Sequence, residues 1–112
     1  GTRPNDEIIV QAARNEPCLI TVEFTARPGE APVLIGALKK SLPQTRSWAG
    51  CEQLEFTVNS QKPDEMMIVM LWRTRADYET YRAWRESSGD LGRFERVTVS
   101  GLTTRFFDKI EI

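Results

Sequence analysis

The chain has 112 residues, 40% of them hydrophobic and 28% charged, with 15 basic against 16 acidic side chains for a net charge of −1. That length supports one core and not two, the composition is that of a globular domain, and the balanced charge offers no footprint for nucleic acid. No apolar run approaches the roughly 18 residues that cross a bilayer and no leader pattern opens the chain, so no membrane partner and a cytoplasmic location are expected.

Residues 1–17, "GTRPNDEIIVQAARNEP", carry one short apolar patch and end in a helix-breaking proline. They read as an N-terminal arm, with the domain proper over 18–112. "CLITVEFTA" alternates Ile20, Val22 and Phe24 with polar residues, the period of a half-buried strand. "RPGE" is a turn, and Pro32 suits the first turn of the helix that follows. Leu34, Ala37, Leu38 and Leu42 recur at helical spacing, and the helix is expected to stop at Pro43.

"CEQLEFTVNS" alternates again, with Leu54, Phe56 and Val58 on one face. After the turn "SQKPD" comes "EMMIVMLWR", apolar on both faces, which places it at the centre of a sheet covered on both sides. Thr74 and Asp77 form a capping pattern for a second helix, "SSGD" ends it, and Ser88 is positioned to cap a short third helix. The last strand is predicted at "GLTTRFFDKIEI". The order β-α-β-β-α-(α)-β is the α+β, ferredoxin-like split βαβ arrangement, with an antiparallel sheet ordered 4-1-3-2.

Histidine is absent. His-based triads and the common zinc sites are thereby excluded. Cys18 and Cys51 each open a predicted strand, with another strand between them. At about 10 Å across two strand spacings they are beyond disulfide reach and are expected to be free, buried thiols.

On a helical wheel Tyr78, Tyr81, Trp84 and Arg85 fall within about 60° of Tyr81, while Glu79, Arg82 and Glu86 lie on the other side. The first group is a core-facing stripe, and the second includes an Arg82–Glu86 pair at i,i+4. Two phenols and an indole on one stripe each need a polar partner if buried, which a purely structural helix would avoid. Trp72, closing the preceding strand, is expected to share their space. The strands lack the exposed aromatics of an RNA recognition motif, and no phosphate-binding glycine loop or carboxylate dyad is present.

"ITVEFTARPGE", "LPQTRSWAGC" and "MLWRTRADYETY", at these spacings, resemble the antibiotic biosynthesis monooxygenase domain over residues 18–112. The most specific parts are Pro28-Gly29, Thr45-Arg46, Gly50-Cys51 and Trp72. The resemblance implies a dimeric α+β barrel, a homodimer made by packing two sheets together. It also implies membership of a group that includes cofactor-free oxygenases of anthrones and quinols and haem-degrading enzymes. In the cofactor-free type the substrate's own enolate or phenolate reduces dioxygen, so no cofactor is expected.

Trp72 matches the family's strand-three tryptophan. Tyr81 stands where the family often has histidine, and Val22 stands where haem-degrading members have asparagine. Both departures argue against haem. The expected function is cofactor-independent oxygenation of a small hydrophobic aromatic ligand, with Tyr81 and Trp72 as catalytic residues and Trp84, Phe24, Phe94 and Arg85 around the substrate. The alternative is a non-catalytic binding or dimerisation module of the same fold.

Overall fold

Apolar residues along the strands and apolar stripes on the two longer helices give each layer a greasy side, and the chain buries these against each other. In the computed structural model, which describes residues 16–112, the strands are β1 (Cys18–Ala26), β2 (Cys51–Val58), β3 (Glu65–Trp72) and β4 (Thr98–Asp108). The helices are α1 (Ala31–Arg46), α2 (Arg75–Ser88) and α3 (Asp90–Arg96). The sheet is antiparallel with order β2-β3-β1-β4, the predicted 4-1-3-2 counted from the other edge. The predicted arm over 1–17 lies almost wholly outside the described residues.

Register puts Ile20, Val22 and Phe24 opposite Met70, Ile68 and Met66, and Leu54 and Phe56 opposite Met70 and Ile68, all on the helical side. Leu34 and Leu38 of α1 and Tyr78 and Tyr81 of α2 close over that face and are buried. Each such aliphatic side chain contributes about 1.5–3 kcal/mol by leaving water. Cys18 and Cys51 both pair with Trp72, on opposite edges of β3, and both are free. Burial pushes both thiols up, against the opposing pull of Arg46 beside Cys51, so neither is a ready nucleophile.

Two boundaries differ from expectation. Helix α1 does not stop at Pro43 but runs through it to Arg46. The proline removes one helical N–H, and the turn beyond it is held from outside by the bonds of Tyr81 and Arg85 to the Thr45 hydroxyl. Strand β4 spans Thr98–Asp108 rather than 101–112, because Ser100 and Gly101 both adopt positive φ inside it (65° and 73°). They lie where β4 slips against β1 between Glu23 and Thr25, a bulge hidden under turn-like residues. Gly89, at φ 80°, is the residue between α2 and α3, while the Ser88 hydroxyl accepts the Asp90 N–H at 3.4 Å.

Candidate functional site

Helix α2 begins where Thr74 accepts the Asp77 N–H at 3.1 Å and ends at Gly89. Between those caps the spacing Tyr78, Tyr81, Arg85 gives one buried stripe, pointed at α1 and the sheet. Against it α1 sets Leu38, Ser41, Leu42 and Thr45. The two stripes do not meet completely: a cavity of about 100 Å³ remains, floored by Val22, Ile68, Met70 and Leu102 and closed at one side by Leu91 and Phe94 of α3.

The polar end of this cavity is a hydrogen-bonded cluster around a buried cation. Arg85 is only 6% exposed. Its Nε donates to Tyr81 Oη at 2.9 Å, and its Nη2 donates to Thr45 Oγ1 and to the Ser41 carbonyl, both at 3.0 Å. Nη1 lies 3.4 Å from Asp90 Oδ2, on a carboxylate that is half exposed. The guanidinium also stacks 4.8 Å over the Trp84 ring. Four partners for a buried arginine satisfy the requirement that charge inside a protein be paired and hydrogen-bonded.

Thr45 Oγ1 and Tyr81 Oη stand 2.7 Å apart, and either can donate. Two hydroxyls bring two protons to one contact. One proton is therefore left over, and both groups border the cavity. Tyr78 forms a second polar point: its oxygen accepts from Arg82 Nη1 at 3.2 Å, and the same Nη1 reaches Thr104 Oγ1 at 3.2 Å. Burial pushes the Tyr78 phenol up despite the opposing Arg82 charge, so it stays a neutral donor. Arg82 Nε lies 3.4 Å from Glu86 Oε1, an ion pair outside hydrogen-bond geometry.

Of the expected site residues, the structure brings Tyr81, Arg85 and Phe94 to the cavity. Trp72 is not among its lining residues: it is fully buried and its indole N–H is directed at Met70 Sδ, 3.4 Å away. Its ring backs Tyr81 with centroids 5.2 Å apart. Trp84 also lies off the cavity, packed on Trp48 with centroids 4.9 Å apart. Phe24 stands one layer back, edge-on to Phe94 at 4.9 Å.

Arg82 departs in the other direction: its Cα sits on the outer side of the wheel, but the long side chain curls back to the cavity rim. Thr45 and Tyr78 belong to the site as well. Tyr78 was visible on the wheel, whereas Thr45, one helical repeat beyond Leu38, was hidden by ending the helix at Pro43. A haem does not fit this donor set. Tyr81 Oη, at the place the resemblance gives to an iron-binding histidine, is already held by Arg85 and Thr45, beside a cavity of about 100 Å³.

Among the described residues no helix is long and apolar enough to cross a membrane, and no group of three potential metal ligands occurs. A family model described as antibiotic biosynthesis monooxygenase matches residues 17–88. The curated proteins give no sequence match. Solved structures share the fold at low identity. A Shewanella oneidensis protein is 20% identical with a TM-score of 0.74, covering 83% of this chain and 90% of its own. A Pseudomonas aeruginosa protein is 19% identical with a TM-score of 0.74, covering 88% and 98%. A structure named as an antibiotic biosynthesis monooxygenase is 13% identical with a TM-score of 0.76, covering 84% and 99%.

Proposed function

The chain belongs to the antibiotic biosynthesis monooxygenase family, and from that premise we propose that it is a cofactor-independent monooxygenase of a small aromatic, quinol-like molecule held between sheet and helices. The observation that carries this reading is the buried Arg85–Tyr81–Thr45 cluster at one end of a largely apolar cavity. Fixed donors facing apolar space are what a developing oxyanion needs, because they require no reorganisation when charge appears. A phenol and dioxygen give a quinone and water, a balance that closes without an external reductant.

In this reading Tyr81 is the catalytic residue that donates to the substrate oxygen, and Arg85 keeps it oriented. Trp72, lying behind Tyr81, is a positioning residue and not the donor to substrate. Phe94 packs on the ring, with Phe24 behind it, while Trp84 reaches substrate only through Arg85. The volume favours the single-ring end of the quinol and anthrone class: a cavity of roughly 150 Å³ accommodates benzene, and three fused rings need far more.

The same reading includes a homodimer. Met67, Val69 and Leu71 of β3, with Leu19 and Phe107 beside them in register, make an apolar stripe on the sheet face away from the helices. A second copy packed there completes the covering that two apolar faces on β3 demand.

The test is oxygen consumption with a panel of hydroquinones and anthrones. Uptake above the uncatalysed rate, lost in Tyr81→Phe, is expected. A flat trace with every compound removes the oxygenase reading.

A further inference from the structure

Resting on that reading of the cavity, we infer that the protein supplies no base and takes its substrate already ionised, as a single-ring phenolate or an enolate of equal size. The substrate's own acidity then decides which compounds are accepted and at what pH.

Charges and proton acceptors at the site are few. From α2 the site receives Tyr78, Tyr81, Arg82 and Arg85, with Glu86 on the far side of Arg82. From α3 it receives Asp90. From α1, β1, β3 and β4 it receives no ionisable side chain at all. The chain contains no histidine anywhere. Among the described residues Asp90 is the single carboxylate on the lining, and it is paired with Arg85 and half in water. General-base catalysis needs a group within hydrogen-bond reach of the proton and matched to it in affinity. Nothing among the described residues meets both conditions.

The groups that are present favour an anion. Each guanidinium has a carboxylate partner, but Asp90 and Glu86 are the more exposed members of their pairs and Glu86 is off the lining, so the cationic ends lie closer to the apolar space, where charge is screened far less than in water. Tyr78 and Tyr81 add one hydroxyl beside each guanidinium. An arrangement of this kind stabilises a phenolate relative to its phenol and lowers the pKa of whatever binds. The proton leaves to bulk water before binding, and no bond within the protein is made or broken.

Size narrows the class further. Seating one ring in about 100 Å³ requires only that Leu91 and Phe94 give way, and they sit on a seven-residue helix with no buried residue.

The test is anaerobic titration of the full chain with 4-nitrophenol and with 4-cyanophenol, a weaker acid of similar size, across a pH series, with nitrobenzene as the uncharged counterpart. Affinity should fall about tenfold for each pH unit below the ligand's own ionisation and level off above it. The break should move with the phenol, and nitrobenzene should bind at least tenfold more weakly. Arg85→Met should remove the preference for the anion, and Arg85→Lys should retain part of it.

A break at one fixed pH for both phenols, equal binding of nitrobenzene, or no binding at millimolar concentration each overturns the inference, and none of these readings depends on a variant folding. Anion-selective binding without oxygen uptake defeats the oxygenase reading and leaves this one standing. Uptake whose pH break ignores substrate acidity does the reverse.

Discussion

Arg85 and Tyr81 stand one helical turn apart on α2, and the arginine Nε donates to the phenol oxygen at 2.9 Å from a position almost wholly out of solvent. The bond runs from a permanent donor to a group that can still donate in turn. It fixes the phenol's orientation and increases its hydrogen-bond acidity together. Thr45, reached by both residues, ties this pair to α1. The contact is therefore both a helix–helix fastening and the polar end of the cavity.

Tyr81→Phe keeps the ring and removes the oxygen on which both bonds converge. It leaves the buried Arg85 Nε–H and the fully buried Thr45 hydroxyl short of a partner, a loss of about 1–3 kcal/mol in denaturant unfolding. Thr45→Val, nearly isosteric, should cost a similar amount. The double variant should lose less than the sum, by on the order of 1 kcal/mol. Strict additivity would mean that the two hydroxyls do not share a bond in solution.

The fold could be read from the sequence because its signals are local. Ile20, Val22 and Phe24 alternate, Leu34 and Leu38 recur at helical spacing, and Thr74 caps α2 through a neighbour three residues away. The site was legible only in part, since its determinants are not local. Thr45 is helical because α2 holds the turn beyond Pro43, a contact between residues 40 apart. Trp72 looked like a donor to substrate, yet its N–H finds Met70 on its own strand. Arg82 sits on the wrong side of an idealised wheel and still reaches the cavity, because a wheel records Cα direction and not the reach of a guanidinium. The cavity volume is a small difference between large packed volumes, and no periodicity encodes it.

Alkaline stability should fall in two stages. Burial raises Cys18 and Cys51 above the thiol's ordinary 9.0, and Tyr78 above the phenol's 10.0. A folded-state pKa above the unfolded value means the native state holds its proton longer. The associated stability is complete below the unfolded pKa and drains away as pH rises through the folded one. Unfolding free energy should decline above about pH 9 through the thiols and more steeply above about pH 10 through Tyr78. Tyr78→Phe should flatten the second stage, as measured by urea midpoints from pH 7 to 11. An unchanged slope would mean that Tyr78 ionises as freely in the folded chain as in the unfolded one.

The proposed homodimer puts Val69, at the middle of the outer β3 stripe, in the interface. Val69→Lys adds an ammonium that must be desolvated twice in a symmetric contact and meets its own copy. Sedimentation should show the wild type as a dimer at micromolar concentration and this variant as a monomer with an unchanged circular dichroism spectrum. A Val69→Lys dimer as tight as the wild type would place the interface elsewhere.

Gly50 marks the place where the α1–β2 connection touches the start of α2. Its φ is 96°, a region that costs a residue with a side chain about 1–3 kcal/mol. A Cβ there would lie 2.7 Å from both Cβ and Oδ2 of Asp77, too close for either to remain in place. The Gly50 carbonyl also accepts the Arg73 N–H at 2.7 Å, and Arg73 in turn holds Asp77 through its Nε at 2.9 Å. Gly50→Ala should therefore pay twice, once for the backbone and once for pushing away the first turn of the helix that carries Tyr78, Tyr81 and Arg85. Removing the obstruction, Cβ included, in Gly50→Ala/Asp77→Gly should recover the steric part alone, so the Gly50 substitution costs less in the Asp77→Gly background than in the wild type. Equal costs in the two backgrounds, by urea unfolding, would show that the loop does not position the helix and that only the backbone angle matters at Gly50.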